Sequence, residues 1–581
     1  MIVAIDFESY YDSDINVGDM GAWHYARATD IYLVSMISDT GWEWVGHPKD
    51  APWTLVNGET WIMHNAAFDL TLLEALIEKG IVPKVKALQV HDTADMAAAL
   101  GWPRSLKEAS HYLLGVDVKK TTRDNMKGKK WLEMDFLFQK EVSDYALLDS
   151  RLTLQLWQKH SVNWPLSERR TSEMTRNMSM RGVPVNITAI KRAIDTLYAE
   201  CESQMAHLPW IGTRPPLSLD AIREECRKEG IWSPASFSEK DEEGQKWEEE
   251  FADKYPWVSA VRAFRKANKH LKSITTMMKR TRPDSWMGYD LKYYGSTTGR
   301  DSGSGGWNAQ NLPKGEVAGV DIRKLIEAPE GKMLVVCDLA QIESRVLLYL
   351  VQDYDTLKIL ESGIDIYEAH ARSTMGYTDP RPLKEVDNDM RQLAKARVLG
   401  LGFGCGAAKF QTVAWIMARL RITPAESEKI VKDYRRSNPL ITKFWKDLGS
   451  KLKKHKGKKL TMIIPGGRTI NYRDISDSKD GSVASIPQNG KMIKSRVYGG
   501  LMTENLTQGY AAAIFMNRCQ ALESAGYQVI MRIHDEAVVL VNEKSSEKDR
   551  TKIEEIMSTS PHFCRDLPLG AEAHICKQYT K

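Results

Sequence analysis

The sequence predicts a multidomain chain that combines an α/β unit with helical and α+β units. At 581 residues the chain is too long for one hydrophobic core. Up to about residue 160, apolar strand patterns alternate with helical patterns, as in α/β domains. From about 165 to 280 the pattern is mostly helical, and strand patterns return at 333–337, 528–533 and 537–541.

The composition indicates a globular protein without a membrane segment. Apolar residues make up 42% and charged residues 27% of the chain, proportions that exclude disordered, collagen-like and coiled-coil chains. No run approaches the ~18 apolar residues of a transmembrane helix, and no secretory signal opens the sequence. The seven cysteines include no Cys-x-x-Cys pair, which argues against a disulfide framework or a zinc ribbon. The net charge of +5 is too small to indicate nucleic acid by itself.

Three segments of the N-terminal region carry acidic side chains in a distinctive order. Asp6 and Glu8 lie two positions apart on the first predicted strand, so both face the same side. Asp69 lies at the start of a predicted helix. Tyr145 and Asp149 are four positions apart and therefore share one face of a later helix.

Four carboxylates from separate segments can hold two divalent cations. Such a cluster stays ionised only when metal ions offset the mutual repulsion of its members. Two ions ~3.5–4 Å apart can bind both the attacking and the leaving oxygen of a phosphodiester, and the Tyr145 hydroxyl could orient the attacking water. Each pair alone also fits a solvated strand edge or helix surface, so the specificity of the signal lies in the ordered set.

A second acidic pair lies in the C-terminal half. Asp338 follows the apolar strand 333–337, and Asp535 lies in the turn of a predicted hairpin. A strand-end acid beside a hairpin acid is another way to build a two-metal site. Here the reaction would be the attack of a primer 3′ oxygen on an α-phosphate, with pyrophosphate leaving.

Phosphoryl transfer also requires cations for the triphosphate. Arg391 and Lys395 lie four positions apart on the predicted helix 386–400 and can face the same phosphates. A solvated helix face is the alternative for this pair. The densest basic run, 451–459, can either bind duplex phosphates or form a flexible solvated loop.

These motifs, taken in order, resemble the proofreading DNA polymerases of family A (the bacterial DNA polymerase I or Klenow type). The N-terminal acids, with Asn65-x-x-x-Asp69, resemble a 3′→5′ exonuclease domain of the DEDD class, Tyr subtype. The polymerase motifs A, B and C are similar to three segments: Asp338-x-x-Gln-Ile-Glu343, Arg391-x-x-x-Lys395-x-x-x-Leu399-Gly-x-x-Phe403-Gly and His534-Asp535-Glu536.

Further segments agree with the resemblance. Thr298-Gly-Arg300 and Asn308-Ala-Gln310-Asn311 look like the family's Thr-Gly-Arg and Leu-Gln-Asn segments. Glu504-Asn-Leu-Thr-Gln508 looks like the variant seen in phage members. This variant, the compact length and a chain that begins at the exonuclease motif favour a phage replicative enzyme.

The resemblance implies a domain order. An RNase H-like exonuclease domain would be followed by a right-hand polymerase with a thumb, a palm built on an antiparallel sheet, and helical fingers. We expect the exonuclease at 1–160, the thumb and connector at 161–290, the palm at 291–363 and 485–581, and the fingers at 364–484.

The resemblance also implies roles for individual residues. Asp6, Glu8, Asp69 and Asp149 would bind the exonuclease metals, with Tyr145 positioning water. Asp338 and Asp535 would bind the polymerase metals, with Glu536 beside them. The incoming nucleotide would be contacted by Arg391, Lys395, Glu343, Gln341, Leu399 and Phe403, where Lys395 protonates pyrophosphate and Glu343 blocks a 2′-hydroxyl. The primer-template would be contacted by Arg300, Gln310, Asn311, Gln508 and His534.

Two of the positions expected to contact the incoming nucleotide depart from the family pattern. Leu399 stands where the family usually has Phe or Tyr against the incoming sugar, and Leu has no flat face and no hydroxyl. Phe403 stands where Tyr is usual and cannot hydrogen-bond Glu343. We expect slow extension or unusual sugar selectivity.

The expected function is template-directed DNA synthesis from dNTPs with proofreading, both by two-metal-ion phosphoryl transfer. Each site would use two Mg²⁺ ions, and Mn²⁺ also suits carboxylate ligands. The expected partners are primer-template DNA and dNTPs, with helicase, primase and single-strand binding protein as further candidates, and we expect a monomer in the cytoplasm, that of the infected host if phage-encoded. The alternatives are a degradative exonuclease whose C-terminal half merely binds DNA, and a replisome scaffold, which would leave both acidic sets unexplained.

Overall fold

The computed structural model describes residues 1–118, 121–238, 241–479, 481–488 and 490–580. Positions 119–120, 239–240, 480, 489 and 581 fall within predicted domain ranges and lie outside the described residues. Within the described part, no helix is both long and apolar enough to cross a bilayer.

The N-terminal region is an α/β unit built on one five-stranded sheet. Its strands are β1 (Ile2–Ser9), β2 (Ile31–Ser38), β3 (Glu43–Gly46), β4 (Thr60–Met63) and β5 (Gln89–Asp92). Its helices are α1 (Val17–Ala28), α2 (Trp53–Val56), α3 (Ala66–Glu78), α4 (Thr93–Ala99), α5 (Leu106–Ala109), α6 (Thr121–Met126) and α7 (Phe136–His160). The strand order is β3-β2-β1-β4-β5, with β1 antiparallel to β2 and parallel to β4. Val3, Ile5 and Phe7 of β1 pack with α3 residues in the core, so β1 is the central, buried strand.

The middle region is mostly helical, as its sequence predicts. It contains α8 (Leu166–Arg181), β6 (Val183–Pro184), α9 (Ile187–Met205), α10 (Leu219–Lys228), α11 (Glu242–Phe251), α12 (Pro256–Arg280), β7 (Trp286–Met287), β8 (Leu291–Lys292) and β9 (Ser302–Gly303). The long helices α9 and α12 pack through Ile190, Leu197 and Ile274. A separate cluster around Trp210, Trp247 and Trp257 forms the core of the segment between them.

The C-terminal region is an α+β unit. Its strands are β10 (Lys332–Leu339), β11 (Leu460–Ile464), β12 (Arg468–Ser478), β13 (Gly481–Gln488), β14 (Lys491–Val497), β15 (Gln528–Ile533), β16 (Glu536–Asn542) and β17 (Ala571–Cys576). Its helices are α13 (Ile342–Leu350), α14 (Tyr354–Glu361), α15 (Ile366–Thr374), α16 (Leu383–Val386), α17 (Asn388–Leu401), α18 (Ala407–Ala418), α19 (Pro424–Ser437), α20 (Pro439–Lys454), α21 (Gly499–Ser524) and α22 (Ser546–Ser558).

The antiparallel sheet β15-β16-β10-β17 forms the centre of this unit. On β10, Leu334 and Val336 face the core shared with the middle region, while Val335 and Cys337 face the core under α21 and α22. Burial on both faces explains why the sequence of β10 reads as a continuous apolar run. The predicted mixture of α/β and α+β organisation is confirmed.

A second antiparallel sheet, β11-β12-β13-β14, was not predicted. The boundary predicted at residue 484 lies within β13, and the range expected to form helical fingers also contains the strands β11 and β12. Asp474 interrupts β12 with a φ of 49°, and the pairing of β12 with β13 shifts between Arg473 and Ser476. This irregularity removes the strict alternation by which a strand is recognised in a sequence.

Candidate active sites

The first candidate site is built on β1. Asp6 and Glu8 are half-buried on one face of this central strand. Asp69, on the first turn of α3, is only 2% exposed, and its carboxylate accepts a hydrogen bond from the backbone N–H of Phe7. This bond ties the carboxylate of α3 to the strand segment between the two β1 acids.

Helix α7 carries Tyr145 and Asp149 to the same cleft. Ser35 lies opposite Asp6 in the β1–β2 register. The Ser35 hydroxyl donates to the carbonyl of Ala146 at 2.8 Å and lies 2.7 Å from the Ser150 hydroxyl. These bonds fasten α7 across β2 at the helical turn that presents Tyr145 and Asp149.

The turn before α3 is held by Asp92. Its carboxylate accepts from the backbone N–H groups of Asn65 at 3.1 Å and Ala66 at 2.8 Å, and from that of Ala94 at 2.8 Å. Asn65 adopts a left-handed conformation with a φ of 79°. Asp92 therefore caps α4 and fixes the start of α3, on which Asp69 lies.

The electrostatics of this cluster are those of crowded carboxylates. Burial, and then the neighbouring Glu8, Asp69 and Asp149, raise the pKa of Asp6 well above its ordinary value. Burial and Asp149 raise the pKa of Glu8 to about 8. The guanidinium of Arg123 opposes both shifts. Arg123 was missed in the sequence because nothing in its surroundings there indicates that it faces acids.

The donor set of the cluster fits divalent cations. All four acids line one cleft with a volume of about 1190 Å³, and their oxygens are the ligands that Mg²⁺ and Mn²⁺ prefer. The Oδ2 atom of Asp69 is buried and has no hydrogen-bond partner among the described residues. Across that part of the chain, no group of three or more Asp, Glu, His or Cys side chains is arranged to hold a metal ion as it stands.

The second candidate site lies at the end of β10. Asp338 pairs in register with Glu536 on β16 and with Glu572 on β17. The backbone carbonyl of Asp535, in the β15–β16 turn, accepts a hydrogen bond of 3.1 Å from the N–H of Leu339. The turn residue Asp535 therefore lies beside the strand end that carries Asp338.

The side chain of Gln310 holds this turn in place through two hydrogen bonds. Its side-chain nitrogen donates to the carbonyl of Arg532 at 2.5 Å, and its side-chain oxygen accepts from the N–H of His534 at 2.9 Å. Gln310 is buried, whereas the neighbouring Asn311 is exposed. Both were predicted to contact DNA, and the Gln310 side chain also contacts the turn that carries Asp535.

A Gln310→Ala variant is expected to destabilise the turn, because it leaves the buried carbonyl of Arg532 and the part-buried N–H of His534 without their side-chain partner. Each unsatisfied group costs about 1–3 kcal/mol. We expect a lower midpoint of thermal unfolding and a lower kcat for synthesis. Asn311→Ala is the matched control. Equal effects of the two substitutions on the unfolding midpoint would contradict the bracing role.

Glu536 lies at the first position of β16 and is fully buried. Its Oε1 atom accepts a hydrogen bond of 2.6 Å from the hydroxyl of Tyr579. Burial and Glu536 raise the pKa of that hydroxyl, so Tyr579 remains a neutral donor at ordinary pH. Glu536 was predicted to act beside the metal acids, and it lies next to Asp338 as expected while also bonding the C-terminal segment.

Arg391 and Lys395 lie on α17 as the sequence indicates. The Arg391 guanidinium forms an ion pair of 3.2 Å with Asp365, the N-cap of α15, and stacks over the Tyr367 ring at 5.3 Å. Lys395 is half-buried one turn further on. Asp365 was missed because it is distant from Arg391 in the sequence and resembles an ordinary capping residue.

Glu343, Leu399 and Phe403 line one cavity of about 310 Å³. Glu343 on α13 also forms a close ion pair with Arg300, and Leu399 is 37% exposed. Arg300 was predicted to contact the primer-template, so in the free protein its guanidinium is held by the acid predicted to lie under the sugar.

The other residues predicted to contact the nucleotide or the DNA are Gln341, Gln508 and His534. The Gln341 side-chain oxygen accepts from the N–H of Ile366 at 3.1 Å, which caps α15. Gln508 lies on α21, and its side-chain oxygen is 3.4 Å from the Thr298 hydroxyl. His534 is exposed in the turn with a φ of 55°.

Comparison with known proteins gives one family. The family model for DNA polymerase family A matches residues 238–581, more than half of the chain. A DNA polymerase of Bacillus phage SP02 is 24% identical over 596 residues, covering 89% of this chain and 89% of the relative. A thermostable DNA polymerase I of Thermus filiformis is 25% identical over 464 residues, covering 76% of this chain and 51% of the relative.

A solved structure extends the likeness to nearly the whole chain. The POL domain of Pol1 from M. smegmatis, in complex with DNA primer-template and dNTP, matches with a TM-score of 0.70 at 17% identity. The match covers 99% of this chain and 95% of that one. At this level of identity the likeness concerns the fold.

Proposed function

The chain belongs to DNA polymerase family A, a family of DNA-binding nucleotidyltransferases that synthesise DNA on a template, and we propose that it joins this synthesis to 3′→5′ proofreading in a second active site. The observation that supports two sites is the presence of two acidic clusters on two different sheets. Asp6 and Glu8 belong to the N-terminal sheet, and Asp338 belongs to the sheet of the C-terminal region. Each cluster has its own neighbouring polar groups.

In the proposed synthesis site, Asp338 and Asp535 would hold two Mg²⁺ ions. Ions held there would activate the primer 3′ oxygen and neutralise charge on the phosphates. Arg391 leaves its contact with Asp365 and binds the incoming triphosphate through its planar fork of donors. Lys395 lies one helical turn away and donates a proton to the departing pyrophosphate.

In the proposed proofreading site, Asp6, Glu8, Asp69 and Asp149 supply the carboxylate ligands. The Tyr145 hydroxyl is hydrogen-bonded to Asp149, and burial together with this acid raises its pKa. The hydroxyl therefore stays protonated at neutral pH and can orient the attacking water. Hydrolysis releases the terminal nucleotide as a monophosphate.

Replacing Arg391 with Ala is expected to raise the KM for dNTPs by about 10- to 100-fold. Hydrogen bonds to charged groups contribute about 1.5–3 kcal/mol, and each 1.36 kcal/mol is a factor of ten. Steady-state kinetics on a primed template measure the change. Arg381→Ala, at an exposed arginine paired with Asp379, is the control, and an unchanged KM for Arg391→Ala would contradict the assignment.

Replacing Leu399 with Phe is expected to change the ratio of dideoxynucleotide to deoxynucleotide incorporation by about 2- to 10-fold, because the new ring packs against the incoming sugar. Primer extension with mixed nucleotides, resolved on a gel, gives the ratio. Ile416→Phe on α18, at a residue of similar exposure, is the control. A ratio that stays at its original value would contradict a contact between residue 399 and the incoming sugar.

The synthesis half of the proposal is tested with four primed templates that differ only in the first templating base. Each is supplied with one dNTP at a time. Addition of only the complementary nucleotide supports template-directed synthesis. Addition of no nucleotide to any template would favour the alternative, a degradative exonuclease whose C-terminal half only binds DNA.

A role in phage DNA replication is the last part of the proposal. The relative from phage SP02 matches along 89% of both chains, whereas the Thermus relative is matched over 51% of its length. Copying of a primed circular template of several kilobases to full length would support a replicative role. Arrest after a few nucleotides at every enzyme concentration would favour gap repair.

A further inference from the structure

We propose that the hairpin β13–β14 forms one wall of the exonuclease cleft and binds the unpaired 3′ end of the primer there. The inference rests on the proposed exonuclease and adds to it a DNA-binding element from the polymerase half of the chain. The hairpin lies outside every motif that the sequence resembles.

The cleft itself brings the two parts together. Its acidic wall is formed by Asp6, Glu8 and the other carboxylates of the N-terminal unit, and its lining also includes Ile486, Pro487 and Gln488 near the end of β13. At about 1190 Å³ the cleft is far larger than a single nucleotide requires. A strand of several nucleotides that reaches the acids would therefore pass the hairpin.

The sheet that carries the hairpin is anchored to the N-terminal unit. On β12, the Arg473 guanidinium donates to the carbonyls of Gly101 at 2.8 Å and Leu100 at 3.1 Å. The same group stacks 3.7 Å from the centre of the Trp102 ring. Arg473 is 7% exposed, so this contact is desolvated and fixes the hairpin relative to the exonuclease acids.

The base of the hairpin is anchored on the other side. Ala484 and Val497 pack with residues of α20 and α21 in one hydrophobic cluster, with Ile486 at its margin. The hairpin thus joins the helix that carries Gln508 to the wall of the exonuclease cleft. A hairpin whose base is held on two sides is suited to guide a strand rather than to move freely.

The charge of the hairpin complements a nucleic acid backbone. Between residues 481 and 497 the sequence contains Lys491, Lys494 and Arg496 and no acidic residue. All three cations are exposed, while Ile486 and Pro487 offer apolar surface to a base. Single-stranded DNA is bound by this combination of cations for phosphates and apolar surface for bases.

An alternative explanation for the same charges is that they protect a sheet edge from unwanted pairing. Strand β14 is an edge strand, and edge lysines commonly prevent unwanted strand pairing. That explanation predicts no effect on DNA, and it does not account for the position of Ile486 and Pro487 in the acidic cleft.

The test compares two substrates of the exonuclease. A double variant, Lys494→Gln with Arg496→Gln, is assayed on a single-stranded 12-mer and on a dinucleotide, whose single phosphodiester is the one that is cleaved and which has no further phosphate for the hairpin. Lys544→Gln with Lys548→Gln, at two exposed lysines on another surface, is the matched control. Primer extension and thermal unfolding are measured on every variant.

We expect a higher KM for the 12-mer only, with unchanged dinucleotide hydrolysis and unchanged extension. The slope of log KM against log salt should fall by about 1.4, since each lost single-strand phosphate contact removes about 0.7. An unchanged slope, or an equal loss with the dinucleotide, would overturn the inference. If the unaltered chain shortens neither substrate, the proposed exonuclease itself is wrong and the inference falls with it.

Discussion

An Asp338→Ala variant should lose template-directed synthesis by about 10³-fold or more while it keeps its full rate of primer shortening. Asp338 is the last residue but one of β10, an inner strand of the C-terminal sheet, and lies beside the turn that carries Asp535. Charge stabilisation by a bound metal amounts to several kcal/mol, and each 1.36 kcal/mol is a factor of ten in rate. Synthesis and shortening are both measured on a 5′-labelled primer.

The control for this variant is the isosteric Asp338→Asn, which keeps the shape of the side chain and removes its charge. Both substitutions should give the same loss, because the lost property is the negative ligand. Retained synthesis in Asp338→Asn would show that charge at this position is dispensable. Loss of shortening together with synthesis, in a protein that still unfolds at its usual temperature, would contradict the two-site account.

An Asp6→Ala variant is expected to show the reverse pattern. Shortening of a single-stranded oligonucleotide should fall by about 10³-fold, for the same energetic reason, and extension of a matched primer should be unchanged. Asp6 interacts electrostatically with Glu8, Asp69 and Asp149, so its removal leaves the cluster without its central member. A mismatched primer should also be extended with its mismatch retained, because the terminal nucleotide is no longer removed first.

Asp50→Ala is the matched control for Asp6→Ala, because Asp50 is an exposed acid of the same α/β unit. It should leave both activities intact. If Asp6→Ala shortens the oligonucleotide at the original rate, this aspartate has no role in the proposed hydrolysis. A loss of extension as well would indicate that the two activities share one site.

The parts of the fold that follow local periodicity could be predicted from the sequence. The predicted helix at 386–400 is observed as Asn388–Leu401, and the hairpin at 528–541 as β15 and β16. Spacing within one element also places Asp6 with Glu8, and Tyr145 with Asp149, on shared faces.

Contacts between distant segments could not be read from the same patterns. Arg391 meets Asp365, and Arg300 meets Glu343, across separate elements. Gln310 is a second case. Its segment resembles one that contacts DNA, whereas its buried side chain makes two hydrogen bonds to the backbone around Asp535. Pairing of this kind depends on tertiary packing, which no single window of sequence contains.

The sheet β11–β14 was missed for a different reason. Strand β12 is irregular at Asp474, and the exposed cations of β14 look like an ordinary solvated surface. Its contact with Leu100 and Gly101, through Arg473, shows that it connects the two halves of the chain. The hairpin that we propose to bind the primer end therefore became visible only in three dimensions.

The most direct test of the two-site proposal uses one gel of a 5′-labelled primer on a longer template with Mg²⁺, with and without the four dNTPs. We expect extension in the lane with dNTPs and shortening in the lane without them. Shortening in both lanes would contradict the synthesis site and direct attention to Leu399 and Phe403. A primer of unchanged length in the lane without dNTPs would contradict the proofreading site.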